Sequence, residues 1–82
     1  MKNTPELRVL LFAALRERAG WQERHLAVPA GTTPATVWHQ LGLELPDPAA
    51  TIRVAINQQF ASWDSPLSAG DELAFLPPIS GG

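Results

Sequence analysis

A chain of 82 residues without a single cysteine has no covalent staple to fall back on. Domains this small expose much of their surface and often lean on disulfides or metal thiolates. Both are excluded here, and with them a cysteine nucleophile. Whatever forms must be held by one apolar core. The material for that core is present, since 45% of the residues are hydrophobic and 17% charged, a globular rather than a disordered composition. One domain is the expected count. A formal charge of −2 with only six Lys and Arg gives no broad cationic footprint, so nucleic acid is not an expected partner. No apolar run approaches the roughly 20 residues of a membrane span, so no membrane is expected either. Leu7–Phe12 is too short an apolar run for a signal peptide and lacks a small-residue cleavage site. A chain with no cysteine and no expected leader fits the cytoplasm.

The punctuation of the chain sets its elements. Leu7–Phe12 is a short apolar run that predicts a buried strand. Ala13–Ala19 switches to helix formers, with Leu15 and Ala19 on one face, and Gly20 stops it. Glu23–Val28 alternates, and the short connection makes it antiparallel to the first strand. Thr33 is placed to cap a second helix with Pro34 at its first position, and Gly42 closes it. Leu43–Ala50, with Pro46 and Pro48, is expected to be a loop. Ile52–Ile56 is strongly β-branched and predicts a central strand. Asn57-Gln58 turns the chain into a short strand over Gln59–Trp63, and Asp64-Ser65-Pro66 breaks it. Glu72–Leu76 is a last strand, stopped by Pro77-Pro78 because proline donates nothing to a ladder. A helix across one face of such a sheet buries Val37, Trp38 and Leu41. The class is α+β: a β-grasp, or ubiquitin-like, roll with a mixed sheet of about five strands. Residues 1–76 form the domain and 77–82 an extended tail.

Chemistry is scarce within the domain. His25 and His39 have no metal-ligand spacing to another His, Asp or Glu, so no metal is expected. No phosphate loop, nucleophile elbow or dinucleotide fingerprint is present. Asp71 and Glu72 are adjacent and fall on opposite faces of a strand. Arg16 and Arg18 read first as a solvated helix face. Trp21, Trp38 and Trp63 read as core or interface rings.

The unusual feature is the end: Pro77-Pro78-Ile79-Ser80-Gly81-Gly82. Frayed termini are the default for most domains. Paired prolines, however, favour extended backbone that projects from the last strand. Two glycines remove side-chain bulk beside the terminal carboxylate, as entry into a narrow pocket requires. Six residues span at most roughly 20 Å at about 3.3–3.6 Å each. A carboxylate with a pKa near 3.3–3.7 is ionised and unreactive at neutral pH, so it must be activated to become an acyl donor. Adenylation is the simplest route, and with no nucleotide loop in the chain, ATP must be supplied through a partner. The activated carbonyl can then accept sulfur or an amine. Composition alone does not choose between them.

Three segments together resemble a family. They are Phe12-Ala13-Ala14-Leu15-Arg16-Glu17, Val54-Ala55-Ile56-Asn57, and the run from Pro66 through Gly70-Asp71-Glu72-Leu73-Ala74-Phe75-Leu76-Pro77-Pro78 to Gly82. They are similar to the small, sulfur-carrying subunit of molybdopterin synthase (MoaD), a ubiquitin-like family. The resemblance implies that Gly82, preceded by Gly81, is adenylated by a ubiquitin-activating-like adenylyltransferase. A sulfur donor such as a cysteine desulfurase system then converts it to a thiocarboxylate. It implies that the tail, Pro77, Pro78, Ile79 and Ser80 included, enters the large subunit of the synthase in a heterotetramer. There the sulfur passes to cyclic pyranopterin monophosphate to build the molybdopterin dithiolene. Catalytic side chains would belong to the large subunit, so the chain has no active site of its own and binds no cofactor. By position Arg16, Phe60 and Leu76 match family residues at the partner surface, although Leu76 stands where relatives often have an aromatic. Phe75 is expected beside Phe60 and Leu76 as an apolar anchor. The rival readings are a sulfur carrier for thiamine thiazole synthesis or tRNA thiolation, a ubiquitin-like protein modifier, and an interaction module with an inert tail.

Overall fold

The structure, a computed structural model, describes residues 6–43 and 51–77. Its elements run β1 (Glu6–Leu11), α1 (Ala13–Ala19), β2 (Glu23–Ala27), α2 (Pro34–Leu41), β3 (Arg53–Ile56), β4 (Gln59–Ala61) and β5 (Glu72–Leu76). This is the order the sequence predicts. The expected loop over residues 44–50 lies outside the described residues. The strands form one five-stranded sheet in the order β2-β1-β5-β3-β4. β1 and β5 are parallel, and the other neighbours are antiparallel. The last strand is therefore the centre of the sheet, flanked by β1 and β3.

The helices stop where the residues require it. Gly20 (φ 84°) and Gly42 (φ 70°) both close a helix in the left-handed conformation, and their N–H groups donate to Arg16 O and His39 O. Glycine adopts that conformation without the Cβ penalty. At the start of α2 the Thr33 hydroxyl accepts from Thr36 N at 3.4 Å, with Pro34 following in the first turn. The β3–β4 turn places Asn57 (φ 52°) and Gln58 (φ 69°) in left-handed backbone, which matches the twist of a tight hairpin. Asn57 also reaches across the sheet. Its Nδ2 donates to Asp71 Oδ1 at 3.0 Å, and its Oδ1 accepts from Glu72 N at 3.0 Å. Asp71 Oδ2 in turn accepts from Ser68 N at 2.8 Å. This network pins the β3–β4 hairpin to the start of β5 and so fixes the register of the central strand.

The core lies between one face of the sheet and the helices. Leu7, Val9 and Leu11 of β1, Leu73 and Phe75 of β5, and Val54 of β3 meet Leu15 of α1 and Val37 and Trp38 of α2. Phe75 is at its centre. Its ring centroid lies 4.9 Å from that of Trp38 in an edge-on contact and 5.5 Å from that of Trp63. Trp38 and Trp63 also meet edge-on at 5.5 Å. The indole of Trp63 donates to Ile52 O at 3.2 Å, which satisfies its one polar atom. No polar or charged side chain is buried among the described residues. The core therefore carries no desolvated polar group to compensate. Trp38 is thus a core ring, and Trp21 and Trp63 pack against the core partly buried. Phe75 is the correction: it is 0% exposed and cannot offer its ring to a partner. Strand parity is the reason, because Phe75 shares the inward phase of Leu73.

Candidate docking face and tail exit

The opposite face of the sheet is open. Cross-strand register brings its residues into rows. Arg8 stands between His25 on β2 and Glu72 on β5, and Leu10 stands between Glu23 and Ala74. Ala74 faces Ala55, Ala55 faces Phe60, and Leu76 faces Arg53. One end of the face is charged and the other apolar. At the charged end Arg8 Nε meets Glu23 Oε2 at 2.9 Å and Arg8 Nη1 meets Glu72 Oε1 at 3.2 Å, while His25 Nε2 lies 3.4 Å from Glu23 Oε2. Arg8, Glu23 and His25 are open to water and Glu72 partly so, and such pairs hold little energy. Arg8→Ala is expected to cost less than about 1 kcal/mol. A melting series should show that small loss at low ionic strength and show it fading toward 1 M salt, where the screening length falls to about 3 Å.

At the apolar end the floor is flat and small-residued. Ala55 and Ala74 are 7% and 6% exposed, and between them they leave a shallow base from which Phe60 projects, 72% exposed. Leu10 and Leu76 are half-buried on the same side. Phe12 joins them. It continues the extended backbone of β1 (φ −125°, ψ 152°) before α1 begins, so it keeps the phase of Leu10, and it is 43% exposed. Ala13 follows with φ 52°, a left-handed conformation unfavourable for alanine that turns the chain away immediately after the ring. Reading Phe12 simply as the last strand residue missed this. An aromatic at the junction of an apolar run and a helix, in phase with the polar-face residues of the strand, was the signal. Exposed large apolar side chains clustered on one face mark an interaction surface rather than a core.

The remaining candidates are placed as follows. β1 and β5 are parallel, so they end at the same edge of the sheet. Pro77, half-buried, leaves the sheet there, directly after Leu76. Pro78, Ile79, Ser80, Gly81 and Gly82 lie outside the described residues. Arg16 is exposed on α1, the helix that begins at that same edge, and its Nη1 donates to Gln22 Oε1 at 3.5 Å. The tail exit, Phe12, Leu76, Phe60 and the arginine-bearing helix therefore belong to one end of the domain. Among the described residues no group of three or more His, Cys, Asp or Glu could hold a metal ion. No described helix is long and apolar enough to cross a membrane. A shallow depression of about 290 Å³, lined by Glu6, Leu7, Arg8, His25, Ala69 and Gly70, lies at the charged end, away from the tail exit. What the domain presents is an apolar face at the edge where Pro77 leaves the sheet.

A five-stranded β-grasp sheet in the order β2-β1-β5-β3-β4 defines the ubiquitin-like class. The ThiS family model matches residues 9–82. The molybdopterin synthase sulfur carrier subunit of Escherichia coli is 37% identical, the alignment covering 93% of this chain and 99% of that protein. The chain belongs to the ThiS/MoaD family, as the resemblance of its sequence implied. Among solved structures, the Haloferax volcanii small archaeal modifier protein 1 superposes with a TM-score of 0.73 at 28% identity, over 90% of this chain and 98% of that one. A chain in the complex of subunits 1 and 2 of the Helicobacter pylori molybdopterin-converting factor has the same fold, with a TM-score of 0.64 at 20% identity over 94% of this chain and 99% of that one.

Proposed function

We propose that this chain is the sulfur carrier of a molybdopterin synthase, and that its reactive atom is the terminal carbon of Gly82. The observation that carries this is the 37% identity to a molybdopterin synthase sulfur carrier subunit over 93% of the chain, beside a family match that runs through residue 82 and so takes in Gly81 and Gly82. A ubiquitin-activating-like enzyme supplies ATP. The Gly82 carboxylate attacks the α-phosphorus and releases pyrophosphate, giving an acyl adenylate. Sulfur from the donor displaces AMP at the acyl carbon; sulfide gives the thiocarboxylate directly, and a persulfide gives an acyl disulfide that a thiol reductant cleaves to the thiocarboxylate. In the large subunit the thiocarboxylate sulfur forms a C–S bond to cyclic pyranopterin monophosphate, and water then cleaves the bond between that sulfur and the Gly82 carbonyl carbon, leaving the sulfur on the pterin and Gly82 as a carboxylate. The domain's share is positional. Its apolar face holds the large subunit, and the tail, leaving the centre of the sheet beside that face, carries the acyl carbon into the partner's site. Holding reactants this way removes much of the entropic part of a barrier.

Intact-mass measurement after incubation with the activating enzyme, ATP and a sulfur donor tests the proposal. Exchange of one oxygen for sulfur, localised to Gly82, is the expected result. No exchange with a competent activating enzyme present would leave the tail an inert end. The likeness to an archaeal modifier favours isopeptide formation as a second reading. The same experiment in cell extract separates the two, because a modifier appears as branched conjugates on lysine.

A further inference from the structure

Phe60 cannot be covered by a partner without also covering the group stacked on it. The Arg53 guanidinium carbon lies 5.5 Å from the Phe60 ring centroid. Arg53 stands opposite Leu76 in the β3–β5 register, one residue before the chain leaves the sheet. It is exposed, and among the described residues it makes no ion pair. The other arginine of this face, Arg8, is held between Glu23 and Glu72 at the far end. The two cations are thus treated differently. One is neutralised within the fold; the other lies over an aromatic ring of the edge strand β4 and makes no ion pair among the described residues.

We infer that Arg53 is a specificity-determining contact of the docking face, and that the partner presents a carboxylate to it. This rests on the reading of the outer face as the surface that holds the large subunit. Removing an arginine from water without a counter-charge is strongly unfavourable, and a carboxylate matches the planar guanidinium with two parallel hydrogen bonds. Stacking on Phe60 orients the guanidinium before the partner arrives, which lowers the entropy lost on binding. A partner that offers a hydrophobic surface but no carboxylate is rejected, because it would bury the charge unpaired. A polyanion such as nucleic acid is a poorer match. The chain carries a formal charge of −2, and Glu23 and Glu72 share the face.

The test is titration of the large subunit with the full chain and four variants: Arg53→Glu, Arg53→Met, Arg53→Lys and Phe60→Ala. Arg53→Glu should weaken binding roughly 30-fold or more, the loss typical of a broken buried charge pair. Arg53→Met should lose less, because it removes the attraction without adding repulsion, and Arg53→Lys least. Circular dichroism of each variant keeps misfolding out of the comparison. Equal losses in Arg53→Glu and Arg53→Met would make Arg53 a packing contact and overturn the inference. So would unchanged affinity in Arg53→Glu while Phe60→Ala binds weakly, an outcome that leaves the docking face in place. If Phe60→Ala and Arg53→Glu both bind as the parent does, the docking face itself is lost, and this inference with it.

Discussion

Gly82→Ala is expected to lower the rate of sulfur transfer about 100-fold or more while leaving the melting temperature where it was. The kinetic part follows from where the chemistry occurs. On the proposed reading a methyl group beside the acyl carbon enters the partner's site together with the carbonyl, and a displacement of about 1 Å at a reacting centre is enough for a 100-fold loss. The stability part follows from the composition of the core. Among the described residues its last member along the chain is Phe75. A substitution seven residues further on should therefore change the unfolding free energy by no more than about 0.5 kcal/mol. Single-turnover transfer to cyclic pyranopterin monophosphate and a thermal melt on the same preparation measure both. A large fall in melting temperature would mean that the tail packs against the domain and is no free arm. An unaltered transfer rate would move the reacting atom away from Gly82.

Much of this architecture was legible in the residues because the signals were local. Gly20 and Gly42 were readable as stops because only glycine takes a left-handed backbone cheaply, and both adopt it. Thr33-Pro34 was readable as a helix start because a hydroxyl followed by proline satisfies two needs of that terminus at once. Asn57 was readable as a turn residue. Its second role, bonding to Asp71 and to the backbone of Glu72, was not, because those partners lie 14 and 15 positions away and meet it only through the β3–β5 pairing. The same limit explains the candidate site. Phe60 and Leu76 were placed at the partner surface by resemblance, and both fall on the open face. Phe75 was grouped with them because it is aromatic and adjacent. In Glu72–Leu76 the two phases are Leu73 and Phe75 against Glu72, Ala74 and Leu76, and both contain large apolar residues. Hydrophobicity alone does not say which phase is inward, and a one-residue change of phase exchanges the faces. The two tryptophan rings settle it by closing over Phe75. Arg53 gave no signal at all in one dimension, since its meaning comes from the ring of Phe60 on the next strand.

The two phases of β5 make adjacent residues answer for different properties, and that separation has a measurable consequence. Phe75→Ala should cost about 3–5 kcal/mol of stability, because a fully buried ring in contact with two others is replaced by a cavity. Against a total of roughly 5–15 kcal/mol for a domain, that is a large fraction. The melting temperature should fall by roughly 10–40 °C for a chain of this length. Leu76→Asp, one residue on, should do the reverse. The side chain points to the open face, and an aspartate there stands across from Arg53, where opposite charges on paired strands are tolerated or mildly favourable. Folding should survive, while affinity for the large subunit falls roughly 30-fold or more, the loss typical of a central interface residue. The aspartate would also compete with the partner's carboxylate for Arg53, so both effects act in one direction. Urea unfolding of the two variants beside a binding titration separates fold from docking. If Phe75→Ala melts like the parent, the inward phase of β5 is wrong. If Leu76→Asp binds the large subunit with the parent's affinity, the partner does not reach the tail exit, and a rigid handle could not then aim the Gly82 carbon, because nothing would hold the two proteins in register at the point where the chain crosses between them.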